Sequence, residues 1–168
     1  MVSPRVRRLE SEYEALRLRF DGHPNISIEP VGAMPPEQYR ITYRMPSLRL
    51  DQMNRPIIVQ QTVVDFQLPA NYPKEKPRAV ATEMVFHPNF GEYVCIADFW
   101  SPAQSLVDII LEVGEMLQWQ KYNILSPLNA IAADWAVEQR TNLPVGRIDL
   151  YSKSAAPTIR INTTSEEG

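Results

Sequence analysis

Residues 3–20 place apolar side chains at the spacing of an amphipathic helix, with charges of both signs on the other face. Ser3 and Pro4 favour a helix start, because a serine hydroxyl caps free backbone amides and proline fits the first turn. Residues 21–25 contain turn formers and are expected to end the helix. The predicted apolar stripe consists of Val6, Leu9, Tyr13, Leu16 and Phe20.

Four extended segments follow, each with the alternation or the β-branched content that is typical of strands. They span residues 26–28, 39–43, 57–66 and 79–85. Residues 45–56 are polar, carry two prolines and predict a long loop between the second and third strands. Because the other connections are short, the segments predict an antiparallel four-stranded meander.

Two later helices are predicted after a proline-rich passage at residues 68–77. Ser101 and Pro102 favour the start of the second helix, and Pro127 favours that of the third. Residues 1–140 therefore predict one α+β domain. Residues 141–168 are predicted to form a loosely ordered tail. Within it, residues 148–151 are expected to form either a short strand or a segment that docks on the domain. The two helical stripes consist of Leu106, Ile109, Ile110, Val113 and Leu117, then Leu128, Ile131, Ala132 and Trp135.

Composition narrows the class of protein. A chain of 168 residues fits one domain, and its net charge of −3 gives no broad basic surface for nucleic acid. No apolar run is as long as a membrane span. One cysteine cannot form an internal disulfide, and one cysteine with two histidines predicts no metal site. We therefore expect a soluble, cytoplasmic protein that binds neither nucleic acid nor a membrane.

The candidate catalytic residues lie in residues 86–102, which contain Cys95, the single cysteine of the chain. Pro88 restricts His87 to extended conformations, and Gly91 lets the backbone turn before the thiol. The amide of Asn89 can both donate and accept hydrogen bonds. A rigid elbow, an amide and a thiol within nine residues could place a donor near the group that the sulfur attacks.

A purely structural interpretation of the same residues stays open. A lone cysteine is commonly a small buried apolar residue, and His-Pro-Asn is ordinary turn chemistry. The tripeptide also occurs at residues 23–25, where no cysteine is near and we predict only a turn.

The order and spacing of the motifs resemble the ubiquitin-conjugating enzymes over residues 5–138. The resemblance implies the fold of that family, with an N-terminal helix, a four-stranded antiparallel meander and two C-terminal helices. It rests on Leu68-Pro69-x-x-Tyr72-Pro73, Pro77, His87-Pro88-Asn89, Gly91, Cys95, Trp100-Ser101-Pro102, Ser126-Pro127-Leu128-Asn129 and Ala132-Ala133-x-Trp135.

The resemblance also implies roles for the site residues. Cys95 would be the nucleophile that carries a thioester. Asn89 would stabilise the loop and the oxyanion, while His87 and Pro88 would be structural. Ser126 would help to orient the incoming lysine, although capping a helix is an equal interpretation of this residue.

A stable thioester carrier needs no strong general base beside its sulfur. His87 is near Cys95 in sequence and is the alternative candidate for such a base, whereas a histidine on a proline elbow more commonly satisfies backbone groups. Asp98, three residues after Cys95, would restrain stray reactivity of the thiol.

Two surfaces carry further expectations from the resemblance. In that family the first helix docks the activating enzyme with the help of basic residues, and the alternative here is a solvated helix face. A second surface, which includes Lys74, would contact a ligase. Many family members that work with RING ligases have an aromatic residue at the position of Lys74. The docking arginines would be Arg5, Arg7 and Arg8, and the ligase-type contacts would be Lys74, Ser101, Pro102 and Ala103.

The implied function is that of a conjugating enzyme for a ubiquitin-like protein. Cys95 would accept this protein from an activating enzyme and pass it to a lysine of a target protein, with a ligase where one takes part. ATP is used by the activating enzyme, so no cofactor is expected here. The short spacings from Asn89 to Cys95 and from Cys95 to Trp100 favour a distant branch. Bacterial relatives encoded beside activating-enzyme, ubiquitin-like and peptidase genes, some linked to phage defence, form such a branch.

Three other classes of protein compete with this interpretation. Catalytically inactive conjugating-enzyme variants are binding modules on the same fold, but they lack the active-site cysteine. Interaction domains of the RWD type generally lack the pairing of His-Pro-Asn with cysteine. An unrelated cysteine hydrolase would need a histidine base with an orienting residue, and only His23 and His87 are available.

Overall fold

The computed structural model describes residues 1–96 and 99–152, and these confirm the predicted α+β class. One helix precedes a four-stranded antiparallel sheet, and two helices follow it. The elements are α1 (Pro4–Phe20), β1 (Ile26–Val31), β2 (Gln38–Tyr43), β3 (Ser47–Leu50), β4 (Pro56–Val59), β5 (Thr62–Gln67), β6 (Arg78–Ala81), α2 (Leu106–Leu117) and α3 (Ala130–Glu138).

The main sheet has the strand order β1-β2-β5-β6, with every neighbouring pair antiparallel. Ile41 of β2 lies opposite Val64 of β5, and both side chains are fully buried. Leu9 and Leu16 of α1 and Ile110 of α2 belong to the same hydrophobic core. Burial of large apolar side chains on this scale is the dominant favourable term in folding.

The predicted loop at 45–56 and the predicted strand at 57–66 are both wrong in detail. β3 and β4 form a separate two-stranded ribbon, and only the part from Thr62 onward joins the main sheet. Leu48 of the ribbon is buried in a second cluster with Phe86 and Trp119. The amide of Phe86 donates to the carbonyl of Leu48 at 2.8 Å. Phe86 is distant in sequence, whereas the two strands pair with each other across the short turn between Asp51 and Arg55.

Helix α1 begins as predicted, since the hydroxyl of Ser3 accepts from the amide of Val6 at 3.2 Å. Leu9, Leu16 and Phe20 are buried. The sequence pattern places every charged residue of this helix in solvent, yet Glu12 is only 3% exposed. That carboxylate therefore needs partners inside the protein.

Helix α2 begins later than predicted. Its cap is Ser105, not Ser101 with Pro102, and a capping box with Asp108 satisfies free amides at this end. The predicted apolar stripe is confirmed, because all five of its side chains are buried: Leu106, Ile109, Ile110, Val113 and Leu117.

Helix α3 begins at Ala130 instead of Pro127, and its cap is Asn129, whose side chain accepts from the amide of Ala132 at 3.0 Å. The four residues predicted to share a face of this helix do not form one buried face, because Leu128 precedes the helix and is 37% exposed, and Ile131 is 72% exposed. The helix packs with its small alanine side chains toward the core. The buried residues of α3 are Ala132, Ala133 and Ala136.

Residues 143–151, which the sequence analysis assigns to a loose tail, pack against the domain. Leu150 is 2% exposed, and its carbonyl accepts from Arg19 and from His23. The side chain of Gln118 bonds both the amide and the carbonyl of Ile148. Ordered packing therefore continues beyond residue 140 in a docking segment. Residues 153–168 of the predicted tail lie outside the described residues.

None of the helices in the described ranges is both long and apolar enough to cross a bilayer. Residues 1–96 and 99–152 also contain no group of three or more His, Cys, Asp or Glu side chains arranged to hold a metal ion.

Candidate active site

His87 is fully buried, and both of its ring nitrogens bond the main chain. Nδ1 accepts from the amide of Asn89 at 3.0 Å, so Nε2 carries the proton and donates to the carbonyl of Lys121, also at 3.0 Å. The ring lies against Phe90 and Trp119. Burial lowers the pKa of His87 to about 3, against a smaller opposing effect of the Lys121 carbonyl. The imidazole is therefore neutral at physiological pH, and neither nitrogen is free to act as a base.

Asn89 links three segments of backbone. Its side-chain amide donates to the carbonyl of Cys95 at 3.3 Å, and its side-chain oxygen accepts from the amide of Asn123 at 2.9 Å. The amide of Cys95 donates in turn to the carbonyl of Asn89 at 2.8 Å. Because Asn89 is only 9% exposed, these hydrogen bonds form where unpaired polar groups would be costly.

Cys95 is a free cysteine, and the residue as a whole is half-buried. Its loop leaves the edge of the main sheet, where the amide of Val94 donates to the carbonyl of Ala79 at 2.8 Å. A bridge between Phe90 and Val94 closes the turn that contains Gly91. Partial exposure on a braced loop is what a thiol requires in order to meet a large partner.

Lys76 is a site residue that the sequence analysis missed. Its ammonium group donates to the carbonyl of Ile96, the residue after Cys95, at 3.2 Å. Two successive carbonyls of the cysteine loop thus accept hydrogen bonds from side chains, one from Asn89 and one from Lys76. No local pattern marks Lys76, because its partner lies 20 residues away.

Ser126 is exposed and does not cap a helix, since the cap of α3 is Asn129. Its amide donates to the side-chain oxygen of Asn123 at 3.1 Å, and the amide of Leu125 does the same at 2.9 Å. Asn123 thereby ties the Ser126 loop to Asn89. Asn123 is not among the predicted site residues, although an asparagine before a turn is a recognisable signal.

Pro88 also contributes through its backbone. Its carbonyl accepts from the amides of Leu128 and Asn129, at 2.8 and 3.1 Å, and so joins the His-Pro-Asn elbow to the start of α3. This contact supports the structural role expected for Pro88. Asp98 lies outside the described residues.

The three predicted docking arginines differ in their contacts. Arg5 pairs with Glu37 at 2.7 Å, and Arg8 pairs with the buried Glu12 at 2.8 Å. Arg8 also donates to two carbonyls of the loop before α2, so much of its guanidinium is engaged internally. Arg7 is exposed. Docking of an activating enzyme on this helix stays a prediction, and Arg7 is the best placed of the three.

The two segments of the predicted ligase-type surface lie side by side. The indole of Trp100 donates to the carbonyl of Pro73 at 2.7 Å, which joins the two loops. The hydroxyl of Ser101 accepts from the amide of Ala103 at 3.3 Å. All four predicted contact residues are exposed, namely Lys74, Ser101, Pro102 and Ala103. Contact with a ligase stays a prediction.

A family model described as ubiquitin-conjugating enzyme matches residues 60–143, which is half of the chain. The matched range contains Asn89, Cys95 and Ser126 and ends after α3. A search of curated proteins gave no significant match. With its fold and its motifs in this order, the chain belongs to the ubiquitin-conjugating enzyme family.

Proposed function

We propose that this protein carries a ubiquitin-like protein as a thioester on Cys95 and transfers it to a lysine of a target protein. In the first step the Cys95 thiolate attacks the thioester carbonyl on the activating enzyme, and that enzyme's thiolate leaves. In the second step the lysine amine attacks the new thioester, and the Cys95 thiolate leaves. The amine loses its proton, and an amide bond remains.

The observation that carries the proposal is the mutual hydrogen bonding of Asn89 and Cys95, in a chain of this family. The NH₂ group of Asn89 has two N–H bonds, and the Cys95 carbonyl accepts from one of them. The other N–H could donate to the oxyanion that forms during either transfer, which is typically a large contribution to the rate. Asn123 holds the amide in one orientation.

The state of His87 supports a carrier instead of a hydrolase. A cysteine hydrolase needs a histidine that accepts the proton of the thiol or activates water. His87 is buried, neutral and bonded to backbone on both sides. A thioester without a base beside it hydrolyses slowly, as a carrier requires. Ser126, exposed on a loop tied to Asn89 through Asn123, would meet the incoming lysine.

The proposed partners are all proteins. The activating enzyme would use ATP and would dock on α1 around Arg7, so this chain itself would need no cofactor. A target protein supplies the amine, and a ligase, where one takes part, would contact Lys74 and residues 101–103. We place the reaction in the cytoplasm, where a lone thiol stays reduced. Membership of a bacterial branch and a role in phage defence stay predictions.

Intact mass spectrometry tests the proposal directly. The protein is mixed with a candidate ubiquitin-like protein, its activating enzyme and ATP, and each sample is split with and without a reducing agent. We expect an adduct that the reducing agent removes and that Cys95→Ala abolishes. Cys95→Ser should give an oxygen ester that resists the reducing agent. If Cys95 reacts with thiol labels in the native protein yet no adduct forms, a binding module becomes the better interpretation.

A further inference from the structure

A cleft of about 660 Å³ lies beside the candidate active site, between the end of β6 and the start of α3. Gly91 and Glu92 line it, and both belong to the loop that leads from Asn89 to Cys95. A Cβ atom at Gly91 would lie 3.2 Å from the Cβ of Leu128, so the cysteine loop packs directly against the segment before α3. The cleft therefore shares a wall with the cysteine loop.

Large apolar side chains of this cleft face solvent. Met84 is 71% exposed, Ile131 is 72% exposed and Leu128 is 37% exposed. Ile131 also lines a second cleft of about 440 Å³, which contains Asp134 and Glu138 of α3. Contiguous apolar side chains that stay in water commonly mark a site of interaction. Here the small alanines of α3 fill the core and leave Ile131 outside it.

The rim of this surface is acidic. Glu83 and Glu92 line the first cleft, Asp134 and Glu138 line the second, and no lysine or arginine lines either. Arg49 pairs with Glu83. In the described part of the chain the other three carboxylates make no ion pair. The surface thus combines exposed apolar side chains with three carboxylates that make no ion pair.

We propose that this surface, formed by the two clefts that meet at Ile131, binds the segment of the target protein that carries the acceptor lysine. It selects segments with an apolar side chain that are also rich in lysine or arginine. Met84, Leu128 and Ile131 take the apolar side chain, and the acidic rim attracts the basic ones. The inference rests on the proposed function, because an acceptor lysine matters only if Cys95 carries a thioester.

Charge favours this occupant over a second copy of the chain. Each copy has a net charge of −3, so two copies would bring like charges together at an acidic surface. A basic segment gains from the same charges. Since the cleft contains Gly91 and Glu92, a segment bound there runs past the loop that carries the thiol. Binding raises the local concentration of the acceptor and adds no chemical step.

The test is single-turnover discharge of the preformed thioester, after the activating enzyme has been stopped. Four acceptors are compared: free lysine, and three twelve-residue peptides with one lysine each. The first peptide has a leucine and flanking arginines, the second has glutamates in place of the arginines, and the third has serine in place of the leucine. We expect the first to react about tenfold faster than the second, because complementary charge increases encounter and occupancy. It should react about threefold or more faster than the third.

Variants locate the preference on the protein. Ile131→Ser should abolish the preference for leucine, and Glu92→Lys should abolish the preference for arginine. Val137→Ser is the matched control, because Val137 is 49% exposed on α3 and lines neither cleft. In each protein the rate for every peptide is divided by the rate for free lysine, so that a general effect of a substitution on discharge cancels. Equal rates for the three peptides, or a preference that survives both variants, would overturn the proposal.

Failure of the proposed function gives a different result. If no thioester forms, fluorescence anisotropy of the same labelled peptides still measures binding to the surface. Tighter binding of the basic apolar peptide, lost in Ile131→Ser and kept in Val137→Ser, would support the surface without the chemistry. Self-association that Ile131→Ser abolishes would make a second copy the occupant and overturn the proposal.

Discussion

The side-chain amide of Asn89 donates to the carbonyl of Cys95 at 3.3 Å, and the backbone amide of Cys95 donates back to the carbonyl of Asn89 at 2.8 Å. Asn123 completes the arrangement, since its amide donates to the side-chain oxygen of Asn89. The asparagine therefore has two separable functions: its oxygen holds the Asn123 loop, and its NH₂ group faces the thiol loop.

Asn89→Ala and Asn89→Asp should separate these functions. Alanine leaves the part-buried amide of Asn123 without its partner and should lower the free energy of unfolding by about 1–2 kcal/mol. Aspartate keeps an acceptor for Asn123 but cannot donate. We expect aspartate to recover only the bond to Asn123, because its second carboxylate oxygen faces the Cys95 carbonyl, while discharge to free lysine stays about 100-fold slow in both variants. Urea unfolding and single-turnover discharge measure the two effects. Recovery of discharge by aspartate would show that the donor N–H is unimportant.

Lys76 holds the carbonyl of Ile96, next to Cys95, and should act as a positioning residue that also places a positive charge near the thiol. Lys76→Met should slow the reaction of Cys95 with anionic iodoacetate about threefold more than with neutral iodoacetamide. Lys76→Arg should restore the ratio, and Lys74→Met is the control, because Lys74 is exposed on the same loop. An equal decrease for both reagents would mean that the charge has no part and that only loop position matters.

Burial keeps His87 neutral, which makes the protein sensitive to mild acid. The folded pKa is about 3, whereas the ordinary pKa is 6.5, so only the unfolded state takes up this proton as the pH falls below 6.5. The folded state should lose about 1.4 kcal/mol between pH 7.5 and pH 5.5 from this residue alone. Urea unfolding at the two pH values, for the native protein and for His87→Gln, isolates the effect. If both proteins lose the same stability over this range, the imidazole is not the cause.

Local patterns predict the elements whose partners are close in sequence. The hydroxyl of Ser3 caps α1 as expected, and the alternation at residues 39–43 correctly predicts β2. Glu12 could not be predicted, because it binds the hydroxyl of Tyr72 and the amide of Leu106, 60 and 94 residues away. The contact of the β3–β4 ribbon with Phe86 is also long-range, although the two strands of the ribbon pair with each other across a short turn.

The residues of the candidate site also divide into those that local sequence identifies and those that only the fold brings together. The order of motifs is enough to single out Cys95, Asn89 and Ser126, since each lies in a short recognisable sequence. Lys76 donates to a carbonyl 20 residues away, and the backbone amide of Asn123 donates to the side chain of Asn89, so the identities of Lys76 and Asn123 say nothing of these long-range contacts. The exposure of Ile131 could not be predicted, because Ile131 lies at helical spacing from Trp135 and the spacing alone does not say that the alanine face of α3 packs on the core instead.

Gly114 of α2 contacts the docking segment, residues 143–151, at Leu150. A Cβ atom at Gly114 would lie 2.4 Å from the Cδ1 of Leu150, so only glycine leaves room for this side chain. In an exposed helix, glycine to alanine adds about 1 kcal/mol of stability. Here Gly114→Ala should instead lower the free energy of unfolding by about 2 kcal/mol, since the buried leucine has to move. Amide hydrogen exchange at Ile148, which donates to Gln118, should rise in this variant.

A double-mutant cycle with Leu150→Ala shows whether the effect passes through this contact. Leu150→Ala alone should cost about 2–4 kcal/mol, because it removes a buried side chain. In that background the added methyl group of Gly114→Ala has room, so the second substitution should be neutral or stabilising. Additive losses, measured by urea unfolding, would place the cost of Gly114→Ala elsewhere, for instance at the ring of Tyr43, whose nearest atom lies 3.4 Å from the modified position. Non-additive losses would establish that residues 143–151 belong to the folded domain and that its boundary lies beyond residue 140.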